Sequence, residues 1–246
     1  QCKKGQSEAD NECLNKQQVE AVRMIYAKPE TPDGKVYFQY PTDYGSEFDW
    51  EMAILPVRGN PNATYALEGA ITGLRYMVLK DNPGPEYDWR KFDYLKEREG
   101  IAEMSRIHDP DSLDLSEFKA KGGKMIIIHG WADAMISASM TIDWFEEMQA
   151  AMGGENVTED FVKLYIVPGM VHGSGGSGPY VSSAHEDLVK WVEEGTAPEE
   201  IIHADEPGAT PFRTRPVFPY PDYAKYKGKG DPDKAQEKTK EEKKNG

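Results

Sequence analysis

An aspartate and a histidine follow two similar apolar segments in the second half of the chain. Residues 125–128 lead through a glycine to Asp133, and residues 161–167 lead through Pro-Gly to His172. An imidazole that is fixed by a carboxylate can remove the proton from a serine hydroxyl, which is otherwise a poor nucleophile. Acid before histidine is also the chain order of the last two members of an α/β-hydrolase triad, Ser, Asp/Glu, His. The pattern therefore predicts an acid–base pair for nucleophilic hydrolysis.

The elements around this pair predict an α/β fold. Both segments are short, apolar and rich in β-branched residues, as buried parallel strands are. Helices are predicted over 139–152 and 184–194, the second with Ser183 as its cap. The order strand, helix, strand, helix gives two units of a doubly wound α/β fold, in which active sites lie at the carboxyl edge of the sheet. We therefore expect Asp133 and His172 to meet at that edge.

The N-terminal part of the chain predicts loops and helices. A helix is expected over 14–27, with Asn15 as its cap and Gln18 reaching back to it as in a capping box. Residues 29–61 are rich in Pro, Gly, Asp and aromatic residues, which favours a loop-rich, aromatic-lined segment. Helical patterns return over 66–79 and within 87–106.

The composition excludes several classes of protein. With 246 residues, of which 38% are hydrophobic and 29% charged, the chain is typical of a globular protein. A formal net charge of −14 disfavours nucleic acid as a partner, because nucleic-acid binding relies on basic patches. No run approaches the roughly 18 apolar residues that span a bilayer, so no membrane partner is expected. The chain opens without an initiator Met or an apolar signal segment, which we interpret as a processed or truncated chain.

The cysteine pattern indicates the compartment. Cys2 and Cys13 are the only cysteines of the chain, and they lie close together at its start. Two unrelated thiols are one interpretation of this pair. A local disulfide is the simpler one, and it implies an oxidising compartment. We therefore expect a secreted or periplasmic protein.

The serine nucleophile is not evident in this chain. No Gly-x-Ser-x-Gly elbow, the motif that carries it in α/β-hydrolases, occurs in the sequence. Residues 175–179 are Gly-Gly-Ser-Gly-Pro, but they follow His172 and lack a strand before them and a helix directly after them, so a flexible loop is expected. The nucleophile is therefore expected upstream of Gln1, and this chain alone is expected to be inactive.

Short stretches throughout the chain match one protein family in order. They are residues 13–14, 18–23, 25–27, 114–116, 122–124, 129–133, 167–170 with His172, 191–193 with Gly195, 197–199, 214–216, 219–221 and 226–228. Together they resemble the tannase and feruloyl esterase family. His-Gly-x-x-Asp alone recurs in many α/β-hydrolases, but the stretches cover nearly the whole chain, which makes the resemblance specific.

The resemblance implies an α/β-hydrolase core that is interrupted by a large lid, and substrates that are esters of phenolic or other aromatic acids. The lid would be residues 1–112, loop-rich and mostly helical. Residues 113–225 would be the C-terminal part of the hydrolase core, and residues 226–246 a charged, flexible tail. Asp133 would be the acid of the triad and His172 its base.

The resemblance also implies the rest of the site. The N-terminal hydrolase half of the same protein would be the partner of this chain and would supply the serine, the oxyanion hole and the ligands of a structural calcium. No cofactor would be needed for catalysis, and no metal site is expected within this chain. Gly173 stands where the family has a disulfide-bonded cysteine, so the triad would be held by packing. Side chains expected to bind the small aromatic ester are Ile136, Trp131, Tyr40 and Trp50.

Other interpretations stay open. Asp133 could cap the helix that starts near Ser139, His129 is expected to hydrogen-bond locally, and each N-terminal aromatic side chain could belong to the core. The remaining histidines, His108, His185 and His203, are expected to be solvated. The whole protein could also be another lidded α/β-hydrolase, such as a peptidase or an aliphatic esterase, or a non-catalytic relative that binds phenolics or polysaccharide.

Overall fold

The computed structural model describes residues 1–4, 6, 13–36, 38–56, 60, 63–109 and 112–241. The α-helices are α1 (Lys16–Tyr26), α2 (Trp50–Ala53), α3 (Tyr65–Gly73), α4 (Tyr94–His108), α5 (Ser116–Ala120), α6 (Ala138–Ala151), α7 (Glu155–Thr158) and α8 (Ala184–Glu194). Short 3₁₀ helices lie at Ser46–Asp49, Trp89–Lys91 and Ala235–Glu237, and a π-helical turn lies at Leu74–Val78. The strands are β1 (Met125–Gly130), β2 (Val162–Val167), β3 (Val181–Ser182), β4 (Ile201–Ala204), β5 (Thr214–Val217), β6 (Tyr223–Tyr226) and β7 (Lys238–Glu241).

The N-terminal residues fold into helices joined by loops, as predicted. The side chain of Asn15 accepts the N–H of Gln18 at 2.9 Å, and the side chain of Gln18 accepts the N–H of Asn15 at 2.9 Å. This reciprocal capping box confirms the predicted start of α1. Between α1 and α3 the described helices are about one turn long each, which confirms the loop-rich character of this stretch.

Strands β1 and β2 form the parallel pair that the sequence predicts. Their register pairs Met125 with Val162 and Gly130 with Val167, and α6 and α7 lie in the connection between them. Most of β2 is buried, whereas β1 is mostly half-buried. Within the described residues β1 pairs with β2 alone. Parallel strands are normally covered on both faces, so the free side of β1 is an edge at which the sheet can continue.

Two apolar clusters cover the two faces of β2. One cluster contains Ile142, Phe145 and Met148 of α6 with Phe161, Val162 and Leu164; the other contains Tyr165, Val167 and Met170 with Ile201 and Val217. Residues of even and odd number in β2 belong to different clusters because successive side chains of a strand point to opposite faces. The second cluster also attaches the antiparallel sheet β3-β4-β5 to the parallel pair. Burying one large apolar side chain stabilises by about 1.5–3 kcal/mol, so both clusters fix the position of β2.

The described part of the expected tail is folded. The Lys/Glu-rich composition of residues 226–246 favours a flexible terminus, but β6 and β7 pair as an antiparallel hairpin. Ion pairs join Lys225 to Glu241 at 3.3 Å and Arg215 to Asp233 at 2.8 Å. The structure differs from the prediction because oppositely charged side chains pair there. Lys225 and Glu241 lie at diagonal positions across the hairpin, where such pairs are stabilising, and Asp233, ahead of β7, pairs with Arg215 of β5. Residues beyond β7 lie outside the described residues.

Two further predictions concern α8 and the domain boundaries. α8 spans Ala184–Glu194 as predicted, but the Ser183 hydroxyl donates to Asp187 Oδ2 at 2.7 Å, so its side chain does not cap the helix. The boundaries near residues 112 and 225 stay predictions.

None of the described helices combines the length and the apolar character that a membrane-spanning helix needs.

Candidate active site

Two loops meet at the carboxyl ends of β1 and β2. The N–H of Ala132 donates to the carbonyl oxygen of Met170 at 3.0 Å. Gly130 makes this approach possible, because a Cβ atom at that position would lie 2.2 Å from the Met170 carbonyl oxygen. The backbone after β1 therefore lies directly against the backbone after β2, and the polar side chains of the two loops are brought together.

The side chains of Asp133 and His172 form a hydrogen bond. His172 Nδ1 donates to Asp133 Oδ2 at 2.9 Å. The other carboxylate oxygen, Oδ1, accepts the N–H groups of Met135 at 2.8 Å and Ile136 at 2.9 Å. The Asp133 side chain is 4% exposed, whereas that of His172 is 40% exposed. With the proton on Nδ1, the accessible imidazole carries on Nε2 the lone pair that a general base uses.

The Asp133 carboxyl is kept ionised. Burial by itself would raise the pKa of this group, but hydrogen bonds from His129, from the backbone of Ile136 and from His172 outweigh it and lower the pKa to about 2. An ionised carboxylate holds the imidazole in one tautomer and stabilises the imidazolium that forms when it takes a proton. The alternative role as a helix cap is not observed, because α6 begins at Ala138 and the carboxylate is used in the preceding turn.

A second imidazole lies beside the same carboxylate. His129 Nε2 is 3.4 Å from Asp133 Oδ2 and donates to the carbonyl of Ile136 at 3.0 Å, while Nδ1 accepts the Thr141 hydroxyl at 2.8 Å. Burial lowers the pKa of His129, but the Asp133 carboxylate and the Ile136 carbonyl outweigh it and raise the pKa. Both nitrogens of His129 are engaged locally, as expected, which leaves His172 as the candidate base.

A cavity of about 370 Å³ opens at this pair. Its lining residues are Ile128, His129, Gly130, Asp133, Ile136, Met170, His172, Gly173, Tyr180, Ser182 and His203. Ile136 is 41% exposed and lines the cavity, a position that suits the predicted contact with an acyl group. A larger cavity of about 700 Å³ lies at Phe145 and Tyr220 and includes neither member of the pair. We therefore take the smaller cavity as the candidate active site.

The other predicted substrate residues do not line this cavity. Trp131 follows β1 directly and is 41% exposed, so it is free to contact a ligand. The Tyr40 hydroxyl donates to Asp143 Oδ2 on α6 at 3.0 Å. Trp50 is only 6% exposed, and its indole N–H donates to Ser46 Oγ at 3.0 Å. The structure thus places Trp50 in the core, the alternative interpretation of these aromatic residues, and substrate binding by Trp131 and Ile136 stays a prediction.

Two further predictions concern the disulfide and a metal site. Cys2 and Cys13 form a disulfide, as expected. In the part of the chain that the structure describes, no three His, Cys, Asp or Glu side chains are grouped so that they could hold a metal ion. The calcium that the family resemblance implies therefore stays a prediction about residues outside this chain.

Comparison with known proteins decides the family. The model of the family "Tannase and feruloyl esterase" matches residues 1–240. The chain belongs to this family. The resemblance drawn from the sequence stretches is thereby confirmed.

Individual members of the family span more than this chain. The chain is 46% identical over 127 residues to mono(2-hydroxyethyl) terephthalate hydrolase of Piscinibacter sakaiensis, an alignment that covers 50% of this chain and 21% of that protein. It is 27% identical over 248 residues to a protein of Aspergillus fumigatus named "Probable feruloyl esterase B-2", covering 93% of this chain and 45% of that protein. The crystal structure of an esterase from Aspergillus oryzae superposes with a TM-score of 0.76 at 25% identity, covering 97% of this chain and 48% of that chain. The α/β fold is therefore shared, and the chain spans about half or less of these relatives.

In this tannase-family chain, two carboxylates that the sequence does not predict lie near the candidate site. Asp43 accepts the Ser137 hydroxyl at 2.8 Å, and the N–H and hydroxyl of Ser139 at 3.2 and 2.6 Å, at the N-terminus of α6 where the helix dipole favours an anion. Asp49 is 3% exposed and accepts the N–H of Ala134 at 3.4 Å. The partners of Asp43 are 94 and 96 positions away along the chain, and that of Asp49 is 85 positions away. The stretch that carries both carboxylates has no hydrophobic period, so no sequence signal places them here.

His203 is buried, and the expectation that it is solvated is wrong. It lies in β4 and is 0% exposed; the backbone of Ile201 is near the ring, but among the described residues neither ring nitrogen makes a hydrogen bond of good geometry. Burial lowers the pKa of this imidazole. A sequence signal existed: Ile201 and His203 are two positions apart in a strand and therefore share a face, and Ile201 is a core residue.

Acid is expected to destabilise the protein through His203. Because burial lowers the pKa of His203 in the folded state, unfolding takes up a proton, and the free energy of unfolding falls as the pH drops below about 6.5. One such group contributes at most about 1.4 kcal/mol per pH unit. His203→Leu removes this proton uptake and should flatten the fall, as measured by urea unfolding at a series of pH values. His185→Leu, on the exposed side of α8, is the matched control. Equal slopes in the wild type and His203→Leu contradict the prediction.

Proposed function

We propose that the full-length protein is a carboxylic ester hydrolase that cleaves esters of phenolic or other aromatic acids by a Ser–His–Asp mechanism. His172 takes the proton of a serine hydroxyl, and the serine oxygen attacks the ester carbonyl. The ester C–O bond then breaks, the imidazolium of His172 gives its proton to the departing alcohol, and the acyl group stays on the serine as an acyl-enzyme. His172 then activates the water that releases the acid, while Asp133 fixes its tautomer and stabilises the imidazolium. The serine belongs to the part of the protein upstream of this chain, so this chain alone is inactive.

The hydrogen bond between His172 and Asp133 carries this proposal. Its length of 2.9 Å, the buried carboxylate and the accessible imidazole are the arrangement that a serine hydrolase uses to activate its nucleophile. Family membership supports an ester as the bond that is cleaved. The names of two relatives refer to an ester of terephthalate and to ferulate, both aromatic acids, which supports an aromatic acyl group.

Strand β1 supports the assignment of the serine to another part of the protein. It is mostly half-buried and pairs on one side only within the described residues. Further parallel strands on its free side would extend the sheet and bring their carboxyl ends to the same edge as Asp133 and His172. In this arrangement residues 1–112 form the lid over the site. The Cys2–Cys13 disulfide supports a secreted or periplasmic location.

A substrate panel with the full-length protein tests the proposed function. The panel contains methyl ferulate, methyl gallate, an aliphatic methyl ester of similar size and a peptide. We expect the aromatic esters to be hydrolysed with a kcat/KM at least about tenfold above that of the aliphatic ester, and the peptide not to be cleaved. The 246-residue chain alone, assayed in parallel, should be inactive.

Other outcomes of the panel would support the alternatives. Preferred cleavage of the aliphatic ester or of the peptide would assign the protein to a different group of lidded hydrolases. Tight binding of gallate or of a polysaccharide without turnover of any ester would indicate a non-catalytic relative. Either result contradicts the proposed function.

A further inference from the structure

A buried carboxyl group, that of Asp49, lies behind the pair of Asp133 and His172. Asp49 ends the 3₁₀ helix Ser46–Asp49 and is 3% exposed. Its Oδ2 accepts the N–H of Ala134, one residue after the acid, at 3.4 Å. A side chain from a distant part of the sequence therefore contacts the loop that carries the acid.

An apolar cluster holds Asp49 in this position. Trp50, the next residue, packs with Ala53 and Ala134, and half-buried side chains of α1 complete the cluster. The Trp50 indole is also fixed by its hydrogen bond to Ser46. Because Asp49 and Trp50 both contact Ala134, a polar and an apolar contact lie side by side and dock this short helix onto the loop of the acid.

The carboxyl group of Asp49 is buried and lies near a second carboxylate, that of Asp133. Burial raises the pKa of this carboxyl and the nearby Asp133 carboxylate raises it further, while the N–H groups of Ala134 and His172 lower it. The ionisable groups that face it are thus the members of the candidate site, and no ion pair to Lys or Arg involves it within the described residues. A buried carboxylate is tolerated only where hydrogen-bond donors compensate it. Here the donor at hydrogen-bond distance, the N–H of Ala134, belongs to the loop of the acid.

We propose that Asp49 is a positioning residue of the candidate active site: its buried carboxylate accepts the N–H of Ala134, the residue after the acid, and thereby fixes the position of Asp133 relative to His172. It does not touch the reacting atoms. The proposal rests on the proposed function, because it gives Asp49 a role towards the acid and the base. A displacement of about 1 Å between catalytic groups can lower a rate by about 10²-fold, which sets the size of the expected effect.

The test compares Asp49→Ala with Asp49→Asn in the full-length protein, using methyl ferulate. Alanine removes the acceptor and should lower kcat by about 10²-fold, with KM changed less than about threefold. Asparagine keeps a carbonyl oxygen at the same distance from the backbone and should retain kcat within about threefold. Glu47→Ala is the matched control, because Glu47 lies on the same short helix but is exposed. Its kcat should stay near that of the wild type.

Two further measurements keep the test decisive. Thermal unfolding of each variant shows that the kinetics are measured well below its midpoint, and Asp49→Ser replaces Asp49→Ala if the latter does not fold. The Nδ1–H proton resonance of His172 needs no turnover. It should broaden by faster exchange in Asp49→Ala and persist in Asp49→Asn, because the hydrogen bond to Asp133 protects it.

The outcomes separate this proposal from the proposed function. Loss of kcat and of the His172 resonance in Asp49→Ala, both restored in Asp49→Asn, supports the positioning role. Wild-type kcat in Asp49→Ala, together with an inactive Asp133→Asn, overturns the positioning role and leaves the esterase proposal intact. Equal losses in Asp49→Ala and Asp49→Asn also overturn it, because the second variant keeps the acceptor. Full activity of Asp133→Asn overturns the proposed function itself.

Discussion

Asp133→Asn in the full-length protein is expected to lower kcat for aromatic esters by about 10⁴-fold. The Asn side chain can donate a hydrogen bond to His172 Nδ1, which favours the tautomer with the proton on Nε2. That tautomer cannot accept the proton of a serine. KM should change little, because Asp133 is 4% exposed and its carboxylate faces the imidazole and backbone N–H groups. Steady-state kinetics with methyl ferulate measure both constants.

His172→Ala is the companion variant, with an expected loss in kcat of about 10⁴- to 10⁶-fold. The double variant should be no slower than His172→Ala, because the two residues act as one unit and their losses are not additive. His108→Ala, which removes an exposed imidazole at the end of α4, is the control and should have wild-type kinetics. If Asp133→Asn kept a kcat within tenfold of the wild type, Asp133 would not be the acid of a triad.

The pairing of Asp133 and His172 could be predicted because it depends on strand order alone. Each residue follows a strand that its β-branched composition reveals, and parallel neighbours bring such ends to one edge. The start of α1 could also be predicted, since a capping box involves only residues three positions apart. In both cases the decisive interactions are local, or follow from a regular element whose period is visible in the sequence.

The contacts of Asp43 and Asp49 could not be predicted, because these residues lie in a loop and in a single 3₁₀ turn and reach partners far along the chain. Neither periodicity nor turn chemistry says where such a loop docks. The hairpin of β6 and β7 was missed for a different reason. Its Lys and Glu residues lower the mean hydropathy, and only the register reveals that opposite charges such as Lys225 and Glu241 meet.

Trp50 and Trp131 are both predicted from the sequence to bind the substrate, but their truncation should have different effects. Trp50→Ala is expected to lower the free energy of unfolding by about 3–5 kcal/mol, because its ring is 6% exposed and packs against Ala134 and Tyr26. Trp131→Ala should lower it by less than about 1 kcal/mol, since its ring is 41% exposed. Urea unfolding of the two variants of the full-length protein measures the difference.

Kinetics of the same two variants separate core from substrate contact. Trp131→Ala should raise KM for methyl ferulate several-fold if the indole stacks on the aromatic acid, with kcat nearly unchanged. Trp50→Ala should lower kcat instead, because the short helix that carries Asp49 loses its apolar contact with the loop of Asp133. Trp50→Phe keeps a ring but not the hydrogen bond to Ser46, which contributes about 1 kcal/mol, so it should recover most of the stability. If Trp50→Ala were as stable as the wild type and had a raised KM, the assignment of Trp50 to the core would be contradicted and Trp50 would be a substrate contact.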